Sequence, residues 1–128
     1  MKALSVREPW ASLIVFAGKD IENRTWPTRY RGPLLIHAAK VSTREEFDAA
    51  AAVVKSIGAD ERMLDDCPYF RGGIIGRVDI VDCVRAHTSP WFVGPWGFVL
   101  RNPQPVAFFR CRGQLGFFNV GQEPQPIR

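Results

Sequence analysis

The chain has 128 residues, 46% hydrophobic and 23% charged, with a formal net charge of +4 at pH 7. That length fits one domain with one core, and the apolar fraction excludes wholesale disorder. The charge tilts the chain toward anionic partners such as RNA, although charge alone does not select one.

No stretch approaches the roughly 20 apolar residues of a membrane span. The opening Met1-Lys2-Ala3-Leu4-Ser5-Val6-Arg7-Glu8 lacks the apolar run of a secretory signal. Cys67, Cys83 and Cys111 are widely spaced and form no Cys-x-x-Cys pair. They read as free thiols in a reducing, cytoplasmic setting. With no short ligand pair to nucleate a zinc site and no glycine loop for phosphate, neither metal nor cofactor is expected.

Lys2 to Val6 alternates and opens the chain as a strand. Pro9 suits a first helical turn, Trp10, Leu13, Ile14 and Ala17 follow at helical spacing, and Gly18 stops a helix expected from Pro9 to Ala17. Lys19 to Trp26 reads as extended, and two prolines and a glycine make Thr25 to Pro33 a loop. Pro33 to Ala38 is an apolar run that fits a strand buried on both faces.

Thr43-Arg44-Glu45-Glu46 has the form of a capping box, in which hydroxyl and carboxylate each satisfy a free backbone N–H. Phe47, Ala50, Ala51, Val54 and Ile57 supply the apolar stripe of that helix, and Gly58 ends it. Asp60 to Tyr69 is polar, with room for one helical turn before Pro68. Gly73 to Arg85 reads as a long strand whose alternation slips at Asp82-Cys83-Val84, the mark of a bulge where a sheet curls toward a barrel. After a Pro/Gly/Trp loop from Ser89 to Gly97, Phe98-Val99-Leu100 and Val106 to Phe109 read as two strands joined by a turn at Asn102-Pro103. Cys111 to Val120 closes the domain with Phe117-Phe118 packed, leaving residues 1–120 as one domain and 121–128 as a frayed tail. Strands outnumber helices and the helices fall early. The expected class is therefore α+β, a curled, mostly antiparallel sheet with flanking helices, rather than a doubly wound parallel sheet.

The densest chemistry lies between Lys19 and Gly32, with cations, carboxylates and aromatic rings interleaved. On an extended segment Glu22 and Arg24 share a face, and Lys19 joins them only if a turn at Gly18-Lys19 rotates it. The alternatives are a surface ion pair of little worth and a cation-rich pocket in which Glu22 orients Lys19 or Arg24 toward an anion or base edge. Trp26, Arg29, Tyr30 and Arg31 combine rings with guanidinium groups, as sites for unpaired bases do; packing of the loop explains Trp26 equally well. Trp10, Trp96 and His37 complete the candidates. No hydroxyl stands in a nucleophile-elbow pattern, so a Ser-His-acid triad has no motif to support it.

Leu4-Ser5-Val6-Arg7-Glu8-Pro9-Trp10-Ala11 and Gly18-Lys19-Asp20-Ile21-Glu22-Asn23-Arg24 resemble an ASCH domain (activating signal cointegrator homology), a branch of the PUA-like superfamily. Lys19, Glu22 and Arg24 match the signature Gly-x-Lys-x-x-Glu-x-Arg, with the glycine one place late at Gly18. The resemblance continues through Arg31 to Ala38 and Gly94 to Leu100, and so spans nearly the whole chain. It implies a PUA-like curled β-barrel with a cleft that binds RNA or a modified nucleobase or nucleoside. One line of the family cleaves RNA. Another hydrolyses N4-acetylcytidine with the signature Lys and a Thr, where this chain has Glu22. Catalysis by Lys19 as base or nucleophile beside Glu22, on an N4-acylcytidine or on RNA, is thus the second expectation. Because Glu22 would keep Lys19 charged, binding is placed first. A protein partner is a third expectation, from the family's occurrence in transcription cofactors.

Overall fold

The computed structural model describes residues 1–127. In chain order it contains β1 (Lys2–Val6), α1 (Trp10–Phe16), β2 (Ile21–Arg24), β3 (Gly32–Ala38), α2 (Arg44–Ser56), α3 (Arg62–Asp66), β4 (Gly73–Val84), β5 (Trp96–Arg110) and β6 (Phe117–Asn119). Arg128, at the end of the tail expected to fray, lies outside the described residues.

The six strands form one sheet in the order β2-β5-β4-β3-β1-β6. β1 and β3 are parallel, because α1 and β2 intervene between them, and every other pairing is antiparallel. The expected α+β class and curled, mostly antiparallel sheet are observed as a half-barrel. Its lateral edges, β2 and β6, face one another across a gap bridged by side chains. Trp26 packs edge-on against both Phe98 of β5 and Phe117 of β6, with ring centroids 5.2 and 5.3 Å away. Arg24 of β2 donates to the Ser5 carbonyl of β1 at 2.8 Å.

Two strands differ from expectation. β5 is a single strand of 15 residues, without a hairpin turn at Asn102-Pro103. Asn102 instead takes φ +55°, which its short amide tolerates, and the β4–β5 register shifts three times along the pair. Those irregularities absorb Pro103 and Pro105 and curl the sheet. One of them falls between Ile80 and Asp82, beside the predicted slip. β6 was expected only as packed closure. Its three residues are too few to show a period, but they pair antiparallel with Lys2 to Leu4.

α1 lies against the concave side, where Ile14 and Val15 join Leu4, Leu34, Ile36, Val78 and Phe98 in the central core. Gly76 permits that approach, since a Cβ there would lie 2.6 Å from the Val15 side chain. α2 buries Ala50 and Val54 against Leu13, Ile21 and Val99. Ala51, expected in its stripe, faces solvent, and Val53 packs in its place. The capping box is half made. Thr43 accepts from the Glu46 N–H at 3.2 Å, but the Glu46 carboxylate turns outward to Trp10 and Arg7. No helix among the described residues is long and apolar enough to cross a membrane.

Candidate nucleic-acid interface

The site starts with the end of α1. Gly18 takes φ +80°, a left-handed conformation that glycine adopts without a Cβ clash, and the Lys19 N–H bonds back to the Leu13 carbonyl at 3.0 Å. This turn supplies the rotation that an extended chain lacks, and Lys19 comes round to the face of Glu22 and Arg24. One Glu22 oxygen meets Lys19 Nζ at 3.3 Å; the other meets Arg24 Nε and Nη2, each at 2.9 Å. Lys19 also donates to the Ile21 carbonyl, and its ammonium lies 5.7 Å from the Trp10 ring centroid.

Lys19 is 4% exposed and Glu22 7%, which removes the reading as a surface ion pair. Burial pushes the Lys19 ammonium below the ordinary lysine range, and Glu22 acts against that shift. Two cations share one carboxylate, so the cluster carries net positive charge at the base of a cleft of about 1740 Å³.

The cleft gathers residues that are remote in sequence. Trp10, Trp26 and Trp91 line it with indole. Trp10 is oriented by its N–H to Glu46 at 2.8 Å. Asn23 fastens the second aromatic loop, donating to the Trp91 carbonyl at 3.1 Å and accepting from the N–H groups of Val93 and Gly94 at 2.8 and 3.0 Å. His37 and Ser5, cross-strand partners on the parallel pair β1–β3, also line it. Around the mouth lie Arg7, Lys40, Arg71, Arg110 and Arg112.

Six predicted residues, Lys19, Glu22, Arg24, Trp26, Trp10 and His37, therefore line one cleft. Arg29, Tyr30 and Trp96 lie outside its lining. Arg29 is exposed. Tyr30 folds back on its own loop, where its hydroxyl donates to the Pro33 carbonyl and its ring packs on Phe117. Trp96 stacks beneath Arg85 at 5.3 Å. Ser5, Asn23, Trp91 and the basic mouth were not among the predicted site residues. Asn23 lay inside the signature, Ser5 in the family-like opening and Trp91 in the second aromatic loop, whereas the basic mouth carries no local signal.

The ASCH domain family model matches residues 4–97, taking in β1 through the start of β5. The chain belongs to the ASCH domain family. Over 113 residues it is 35% identical to human activating signal cointegrator 1, covering 80% of this chain and 19% of that protein. Over 83 residues it is 37% identical to the mouse protein of the same name, covering 63% of this chain and 14% of that one. The chain thus spans less than a fifth of the length of these relatives. The ASCH match includes the whole Lys19–Glu22–Arg24 cluster and His37, and ends before Arg110 and Arg112.

Proposed function

We propose that this ASCH domain binds single-stranded RNA, with a nucleobase or modified nucleobase held at the cluster of Lys19, Glu22 and Arg24. The supporting observation is the charge and chemistry of the cleft lining. Arg7, Lys19, Arg24, Lys40, Arg71, Arg110 and Arg112 bring seven cations against two carboxylates, Glu22 and Glu46, with the half-buried indoles of Trp10 and Trp26 among them. Cations hold a phosphate backbone, and aromatic faces stack on bases whatever their sequence. Within the cluster the Arg24 side chain is the most exposed, at 23%, and its guanidinium offers donors to a base edge or phosphate.

Hydrolysis with Lys19 as base or nucleophile fits this geometry less well. Two acceptors engage the ammonium, and the side chain is nearly inaccessible. A protein partner remains a separate proposal that rests on the name of the relatives, a signal cointegrator.

Fluorescence anisotropy with short labelled single-stranded RNA tests the binding reading. The logarithm of the association constant should fall linearly with log salt, by about 0.7 for each phosphate neutralised. Absence of binding to RNA and to free nucleosides at low salt would refute it. Incubation with N4-acetylcytidine tests the alternative: turnover that disappears in Lys19→Ala would put hydrolysis first.

A further inference from the structure

The cleft lining carries a second arrangement that RNA binding does not use. His37 is 1% exposed, and its Nε2 lies 2.6 Å from the Cys111 carbonyl oxygen. A carbonyl only accepts, so Nε2 carries the ring proton and Nδ1 is left with its lone pair. That lone pair faces Ser5 Oγ at 3.0 Å. The serine hydroxyl therefore donates to an imidazole whose tautomer and orientation a third group has set. This is the general geometry of an activated nucleophile, with a main-chain carbonyl in place of the usual carboxylate.

Two features keep Ser5 available. Its side chain is only partly buried and lines the cleft. β6 pairs with β1 only as far as Leu4, so nothing in the sheet covers Ser5 from that side. On the other side the loop before β6 packs closely on the pair and only a glycine fits there, since a Cβ on Gly113 would lie 2.8 Å from His37 Cε1 and 3.1 Å from Ser5 Oγ. Burial holds the imidazole below the ordinary histidine range, so the lone pair persists at neutral pH. Arg24 donates to the Ser5 main-chain carbonyl at 2.8 Å and fixes that residue's backbone.

We propose that Ser5 and His37 form a nucleophilic centre that transfers acyl groups from esters of anionic, phosphate-bearing alcohols, whose charge Lys40, Arg71, Arg110 and Arg112 of the same cleft would hold. Ser5 Oγ attacks the ester carbonyl carbon while His37 Nδ1 takes the hydroxyl proton. The C–O bond to the alcohol then breaks, and the departing oxygen receives that proton. Water, deprotonated in turn by His37, releases the carboxylic acid and restores Ser5.

A fluorophosphonate probe tests this on the whole chain. Ser5 Oγ would form a bond to phosphorus, fluoride would leave, and the serine proton would pass through His37 to solvent. The expected result is a single adduct on the Ser5 peptide by mass spectrometry, absent in Ser5→Ala and formed about 100-fold more slowly or worse in His37→Asn. An adduct elsewhere, no adduct, or labelling indifferent to His37→Asn would overturn the proposal. If His37→Asn does not fold, a second measurement decides. A phosphate-bearing ester should release its alcohol with wild-type protein and not with Ser5→Ala, and equal release from both overturns the centre. Neither assay measures RNA affinity, so this proposal and RNA binding stand or fall separately.

Discussion

The base of the cleft and its mouth are both basic, but they hold their charges in opposite ways. At the base, Lys19 and Arg24 are locked onto Glu22 and removed from water. At the mouth, Arg71, Arg110 and Arg112 make no salt bridge among the described residues, and the side chains of Arg71 and Arg110 are exposed. A buried interlocked cluster fixes geometry, and breaking it costs stability. Exposed cations fix little geometry and act through long-range, salt-screened attraction. Mutations at the base should therefore damage the fold and recognition together, whereas mutations at the mouth should alter affinity alone.

The largest effect is expected from Glu22→Ala. It strands two cations in a buried site and should destabilise the domain by about 3–5 kcal/mol, measured by urea unfolding. Glu22→Gln, which keeps one acceptor oxygen, should recover part of that loss. A change within experimental error would show that water already reaches the cluster. The combined change Arg71→Ala, Arg110→Ala and Arg112→Ala should leave the unfolding midpoint nearly unmoved. It should flatten the salt slope of RNA binding by about 2, from roughly 0.7 for each of three phosphate contacts. An unchanged slope would remove the mouth from the interface.

A smaller effect concerns His37, on the wall between the two regions. Its folded value lies below the ordinary 6.5, so above pH 6.5 the folded and unfolded chains both hold it neutral. As pH falls below 6.5, the unfolded chain takes up the proton first, and stability declines until pH passes the lowered folded value. The difference in unfolding free energy between wild type and His37→Asn, followed from pH 7.5 to 5.5 (a window of roughly one unit on either side of the ordinary histidine value), should shrink accordingly. A pH-independent difference would mean that the ring is not held neutral by burial. The smallest effect is expected at Arg31, whose pairing with Asp82 at 3.6 Å joins side chains 42% and 58% exposed. Arg31→Ala should change stability by no more than about 0.5 kcal/mol and leave RNA affinity unmoved.

The legible parts of this protein were those whose cause is local. β1, α1, α2 and β4 follow from alternation, helical spacing, a capping threonine and stop glycines within a few residues. Lys19, Glu22 and Arg24 were legible because one turn and one short strand bring them together. β5 was misread because Pro103 and Pro105 break an isolated strand, yet are tolerated in one whose partner shifts register around them. Tyr30 and Trp96 looked like cleft aromatics on composition. Their partners, Phe117 and Arg85, place them elsewhere, and those contacts depend on how distant strands pair.

By itself the sequence determined the two main helices, the buried strands and the signature cluster, since periodicity and a single left-handed glycine act over less than ten residues or so. Tertiary structure decided the rest of the cleft. The registers Ala38↔Gly73 and Gly73↔Arg110 align the ends of β3, β4 and β5. They thereby set Lys40, Arg71, Arg110 and Arg112 around one mouth. The parallel pairing Ser5↔His37 likewise joins a hydroxyl and an imidazole that are 32 residues apart in the chain. Pairing of distant strands creates such neighbours, and no local pattern encodes it.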